Sequence, residues 1–255
     1  MSAPLDNEIV ERIAAVRERV AAAAARSGRS PDAVQLVAVS KRQPLERVVA
    51  AVRAGLQDLG ENQVQEARDK REALLAAIGD APAPRWHLIG TLQRNKAGLA
   101  TRLFDRVETV DRVRLAEDLA RHAEAAGRRL PVLLQVNVSG EAQKSGVAPE
   151  DARALLEACL RHEAIEVVGL MAIPRAETDP EASRPAFARL RALRDTLRSD
   201  TGVETLHELS MGMSNDFEVA IEEGATSVRV GTALFGERRS RTATKPAPER
   251  KREEP

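Results

Sequence analysis

Lys41 directly follows the apolar run Leu36-Val37-Ala38-Val39-Ser40. An amine at the end of a strand, partly desolvated by apolar walls, gives up its proton at modest cost and can form an imine with an aldehyde. The plain alternative is a surface lysine that opens a loop. Near the other end of the chain, Ser227-Val228-Arg229-Val230-Gly231-Thr232 carries an arginine inside a valine-rich strand pattern. Strand alternation sets Arg229 on one face with Ser227 and Gly231. A charge there is costly unless it is paired, either with a carboxylate or with a ligand. Ser210-Met211-Gly212-Met213-Ser214 and Gly231-Thr232 supply glycines through which backbone can approach an anion, and hydroxyls that donate to it. Taken singly, such Ser/Gly loops are equally common as turns and caps.

Further candidates are softer. Asn62, in Gly60-Glu61-Asn62, either caps a following helix together with Glu66 or turns its amide toward the site. Gln135 and Asn137 alternate with Leu134, Val136 and Val138, as polar groups lining an interior or as satisfied core amides. Lys144 sits in the glycine-flanked stretch Ser139 to Gly146 and reads as a solvated loop lysine. The histidines at 87, 122, 162 and 207 lack metal-ligand spacing, so His87 reads as structural before it reads as a ligand.

These residues meet only if particular elements bring them together. Ile9, Ile13, Val16 and Val20 recur at helical spacing and lead to Gly28, which predicts a helix ahead of the first strand. Strand patterns follow at Leu36–Ser40, Gln57–Gly60, Arg85–Gly90, Arg106–Val110, Pro131–Val138, Ile165–Ala172, Thr205–Met211 and Ser227–Thr232. Helical patterns lie between them, among others Leu45 to Gly55, Val113 to Ala126, Pro149 to Leu160, Pro185 to Leu197 and Asn215 to Glu222. This alternation is that of a single-domain (β/α)8 barrel spanning residues 1–236. A doubly wound open sheet is the main competitor, but no GxGxxG follows the first strand. Barrel closure would set the eighth strand beside the first, bringing Arg229 near Lys41 at the C-terminal mouth. From Glu237 to Pro255 the chain has almost nothing apolar to bury, and a disordered charged tail is expected.

Composition narrows the function classes. Lys plus Arg number 39 against 39 Asp plus Glu in 255 residues, so no net field favours nucleic acid. Cys159 is the sole cysteine, which excludes an internal disulfide and points to a reducing, cytoplasmic setting. Neither a signal pattern nor an apolar run of membrane-spanning length is expected to operate. The chain has no tyrosine.

Leu36 to Lys41, Gly60-Glu61-Asn62, Trp86 to Gly90 through Gln93 to Lys96, Gln135-Val136-Asn137, Gly169-Leu170-Met171, Ser210 to Phe217 and Arg229 to Thr232 together resemble the pyridoxal phosphate homeostasis protein family. The resemblance implies a barrel related to that of the alanine racemases, with pyridoxal 5'-phosphate (PLP) held as an imine on Lys41. It implies that Ser210, Gly212, Gly231 and Thr232 hold the phosphate and that Arg229 faces the pyridine nitrogen; Asn62 joins this cofactor-binding set. It further implies a cofactor carrier or buffer that affects amino-acid metabolism, without established turnover, its partners being PLP and PLP-dependent apoenzymes. An amino-acid racemase is the alternative. Those enzymes pair the lysine with a tyrosine and carry a second domain, and neither is found here. A monomer is expected, since no second domain demands a partner surface.

Overall fold

The computed structural model describes residues 3–237 apart from Ala142 and Ala176. The strands are β1 (Gln35–Val39), β2 (Asp58–Glu61), β3 (Arg85–Leu88), β4 (Arg106–Val110), β5 (Leu130–Gln135), β6 (Ile165–Met171), β7 (Glu208–Ser210) and β8 (Ser227–Val230). They run parallel in chain order and close into a barrel. Closure is made by β1 against β8, with Val37 opposite Arg229 and Ala38 opposite Val230. The helices are α1 (Ala3–Arg26), α2 (Leu45–Arg53), α3 (Val64–Ala77), α4 (Ala97–Leu103), α5 (Val113–Ala125), α6 (Ala152–Cys159), α7 (Arg184–Thr201), α8 (Phe217–Glu222) and α9 (Thr232–Phe235). Apart from Glu237, the expected tail lies outside the described residues.

Amphipathic spacing accounts for most helices. Ile9, Ile13, Val16 and Val20 of α1 are buried, and the helix packs on α2, α8 and α9. α7 stops where Gly202 takes a left-handed conformation. α3 buries only Val64, Ala67 and Leu74, so its apolar stripe is thin and its periodicity faint. The main core fills the shell between strands and helices. Val132 and Leu134 belong to it, whereas Leu133 joins Val168 and Met171 in a separate cluster, as strand alternation requires.

Several strands are shorter than their apolar runs. The Val136 amide still donates to the Met171 carbonyl of β6, but Val136 also bridges Val147 and the Asn137 amide donates to Val147, so the run to Val138 is only partly barrel. β8 ends at Val230 because Gly231 and Thr232 turn into α9. β7 begins at Glu208, after a turn through Thr205 and Leu206.

Candidate functional site

At the C-terminal mouth of the barrel lies a cavity of about 270 Å³, near the lower end of the range for small-ligand sites. Lys41, Asn62, Arg229, Gly231 and Thr232 line it with Ser214, between apolar walls from Val39, Ile89, Ile173 and Met213. Barrel closure thus brings together residues that stand 191 positions apart, such as Thr232 and Lys41.

The turn that carries Lys41 is clamped from β2 and α3. Lys70 Nζ donates to the Ser40 carbonyl at 2.6 Å and to Glu61 Oε1 at 2.5 Å. Ser40 Oγ donates to the same Glu61 oxygen at 2.7 Å. On the far side of Lys41, the Arg42 amide donates to Glu66. Arg42 itself has a positive φ of 57°, uncommon for a residue with a side chain, and the Glu66 contact holds it there. Burial pushes the Glu61 carboxyl above its ordinary range, with Lys70 pulling the other way. Lys41 therefore projects from a backbone fixed on both flanks.

Arg229 is buried on the cavity floor. It donates to Ser210 Oγ at 2.5 Å and to the Ala172 carbonyl at 2.8 Å. Burial draws its guanidinium down from the ordinary value, while Glu108 and Asp216 pull upward. The rim beside it consists of Gly231 and α9, where the amides of Gly231 and Ala233 both donate to Ser214 Oγ at 3.2 Å. A Cβ on Gly231 would meet only Val39, at 3.4 Å or more, so packing does not demand glycine there. Gly212 differs. It has φ +92°, and a Cβ on it would lie 2.6 Å from the Ala220 methyl and 2.9 Å from Phe217 Cα.

Three expectations change, for Ser210, Gly212 and Lys144, and the open choice for Asn62 is decided in favour of the cavity. Ser210 does not reach the cavity, because its hydroxyl is fully buried between Glu108 and Arg229; Ser214 occupies the position expected of it. Gly212 does not line the cavity either, and its smallness serves the approach of α8. Asn62 does not cap α3, which starts after Gln63 without a side-chain cap, since Glu66 is engaged by Arg42 and Lys70. It faces the cavity, with a buried Oδ1 that has no hydrogen-bond partner. Lys144 is not solvated, because its ammonium is buried 2.6 Å from Glu141.

Gln135 and Asn137 donate to the carbonyls of Ser145 and Glu141, tying down the loop after β5. His87 is buried between Asp58 and Glu108. Sequence reasoning missed both of these carboxylates. Their signal was an acidic residue inside each short strand pattern, which is costly to bury unpaired. Among the described residues no group of three or more His, Cys, Asp or Glu side chains could hold a metal ion, and no helix is long and apolar enough to cross a membrane.

Residues 12–239 match the family described as alanine racemase, N-terminal domain. The chain is 48% identical over 230 residues to the pyridoxal phosphate homeostasis protein of Pseudomonas aeruginosa, covering 90% of this chain and 96% of the relative. It is 43% identical over 229 residues to the protein of that name from Aquifex aeolicus, covering 90% and 98%. PipY of Synechococcus elongatus, solved with PLP bound, superposes with a TM-score of 0.77 at 39% identity, covering 89% of this chain and all of PipY. Alanine racemase from Corynebacterium glutamicum shares the fold at 17% identity, with a TM-score of 0.66 over 90% of this chain and 60% of the racemase. By family match, near-complete coverage and shared barrel, the chain belongs to the pyridoxal phosphate homeostasis protein family, built on the alanine racemase N-terminal-domain fold.

Proposed function

We propose that this chain binds PLP at the barrel mouth and acts in its intracellular homeostasis, as a carrier or buffer. The observation that carries the reading is that Lys41, Arg229 and the Gly231–Thr232 turn converge on one cavity from the paired strands β1 and β8. The residues fit the group. An amine suits an aldehyde, a floor arginine suits a pyridine nitrogen that accepts, and an open glycine turn with hydroxyls from Thr232 and Ser214 suits a phosphate. The unpartnered Asn62 Oδ1 is a ready acceptor for a ring hydroxyl.

When bound, PLP supplies an aldehyde carbon that takes up an amine and a ring that withdraws electrons. The chain's own residues do the rest. Lys41 Nζ anchors the aldehyde end, its reach set by the clamped turn. Arg229 stays charged and disfavours a proton on the ring nitrogen beside it, which weakens electron withdrawal and suits retention over carbanion chemistry. The amides of Gly231 and Ala233, which donate to Ser214 Oγ, would with that hydroxyl hold the phosphate. Absence of tyrosine supports a role without racemase turnover, since the racemase pattern needs that second base. We further infer a cytoplasmic monomer that passes PLP to apoenzymes.

Borohydride reduction of the PLP-loaded chain followed by peptide mapping tests the reading. The label is expected on Lys41, and Lys41→Ala should lose the visible absorbance of bound cofactor. A label mainly on Lys144 or another lysine would overturn the assignment.

A further inference from the structure

Barrel interiors are usually filled by layers of branched apolar side chains. Here β2, β3, β4, β7 and β8 send charged and polar groups inward, and these groups are linked in series. At the N-terminal rim Arg85 holds Asp58 through paired contacts of 2.8 Å. Asp58 Oδ1 lies 3.0 Å from His87 Nε2, and His87 Nδ1 lies 2.8 Å from Glu108 Oε1. Glu108 Oε2 accepts the Ser210 hydroxyl at 2.5 Å, and Ser210 Oγ in turn accepts from Arg229 at 2.5 Å. The series therefore runs from solvent at one end of the barrel to the cavity floor at the other.

The proton positions follow from the partners. Each ring nitrogen of His87 faces a carboxylate oxygen, and a neutral ring would turn a lone pair on one of them. With both carboxyls ionised, both contacts are satisfied only when both nitrogens carry protons. Glu108 then stays ionised and takes the Ser210 proton, which leaves a lone pair on Ser210 Oγ aimed at Arg229. We propose that Asp58, His87, Glu108 and Ser210 form a positioning chain that fixes the Arg229 guanidinium at the cavity floor, with His87 held as a doubly protonated imidazolium. None of these four lines the cavity, so they act through Arg229.

The other charges facing His87 allow this state. Arg106 on β4 opposes it, but Arg106 is paired with Glu208 at 2.5 and 2.8 Å. Inside the barrel Asp58, Glu108 and Glu208 thus stand against His87, Arg106 and Arg229, with Arg85 at the exposed rim. Burial works against the charge on His87, and the contacts with Asp58 and Glu108 outweigh it and raise its pKa. The same ring, again against burial, holds Glu108 down to about 2.

The inference rests on the reading that Arg229 faces the PLP ring, so the test has arms with and without cofactor. Nitrogen-15 spectra of the ligand-free full chain, assigned with His87→Asn, should show both ring nitrogens protonated at pH 7. The Arg229 guanidinium protons, assigned with Arg229→Lys, should exchange slowly in wild type and rapidly in Ser210→Ala and Glu108→Gln, with circular dichroism confirming the fold. If Glu108→Gln does not fold, Ser210→Ala decides. With PLP loaded, these variants should still be labelled at Lys41, shift the ring-nitrogen signal and bind PLP about tenfold more weakly. A neutral His87 at pH 7, or Arg229 and ring signals unchanged in folded variants, would overturn the proposal. Failure of wild type to bind PLP would strike the cofactor reading alone and leave the ligand-free spectra to decide the chain.

Discussion

Gly212 follows β7 and Gly231 follows β8, and what a Cβ would meet separates their roles: ordinary contact with Val39 at 3.4 Å or more at Gly231, and the Ala220 methyl at 2.6 Å at Gly212. Gly231→Val should therefore fold, with a urea midpoint near that of wild type, while its side chain blocks the phosphate approach and PLP retention is lost. Gly212→Ala should do the opposite. Overpacking against α8 combined with an unfavourable left-handed φ costs about 2–4 kcal/mol, read as a lower midpoint. Equal effects of the two variants on stability would contradict this division. The pair was grouped as phosphate-binding on sequence because both are glycines beside hydroxyls; what each one touches depends on the helix that follows it.

The strands and α1 make separate demands. In the barrel interior, burial raises the Asp58 and Glu108 carboxyls, but contacts with His87, joined by Arg85 at Asp58, outweigh it and hold both at about 2. A carboxyl with a depressed folded pKa contributes stability that is complete above its unfolded value and lost as pH falls through the folded one. For His87, raised above 6.5, the contribution is complete below 6.5 and lost as pH rises through the higher folded value. The stability advantage of wild type over Glu108→Gln, measured by urea unfolding, should therefore shrink from about pH 4.5 toward pH 2. A constant difference across that window would contradict the pairing. On the outside, α1 is tied to α8 by Arg19, which holds Glu218 at 2.7 and 2.9 Å and lies 4.5 Å above the Phe217 ring. Ile13, buried beneath, should cost about 2–5 kcal/mol on truncation to alanine, seen as a lower thermal midpoint.

At the scale of the whole molecule, a barrel without tyrosine should racemise no common amino acid above the rate of free PLP, and sustained racemisation lost in Lys41→Ala would favour the enzyme reading. Light scattering behind size exclusion should give the mass of one chain, near 27.7 kDa, with or without PLP. The barrel was legible because its signals are local: apolar runs of strand length alternating with helix-period stretches, each readable within a dozen residues. Lys41, Gly231 and Thr232 at the mouth were legible for a related reason, since a strand's last residues mark the mouth once the barrel is assumed. The Glu108–Ser210 and Arg106–Glu208 contacts were not, because each spans 102 positions and joins residues across the barrel. Nor was the burial of Lys144 against Glu141, which depends on how the loop after β5 folds back on itself. Sequence alone determined the kind of fold and which residue types stand at its mouth, through periodicity and strand ends. Only closure of the sheet decided which charges face one another inside it, because inward direction and cross-barrel pairing are properties of the closed cylinder and of no single strand.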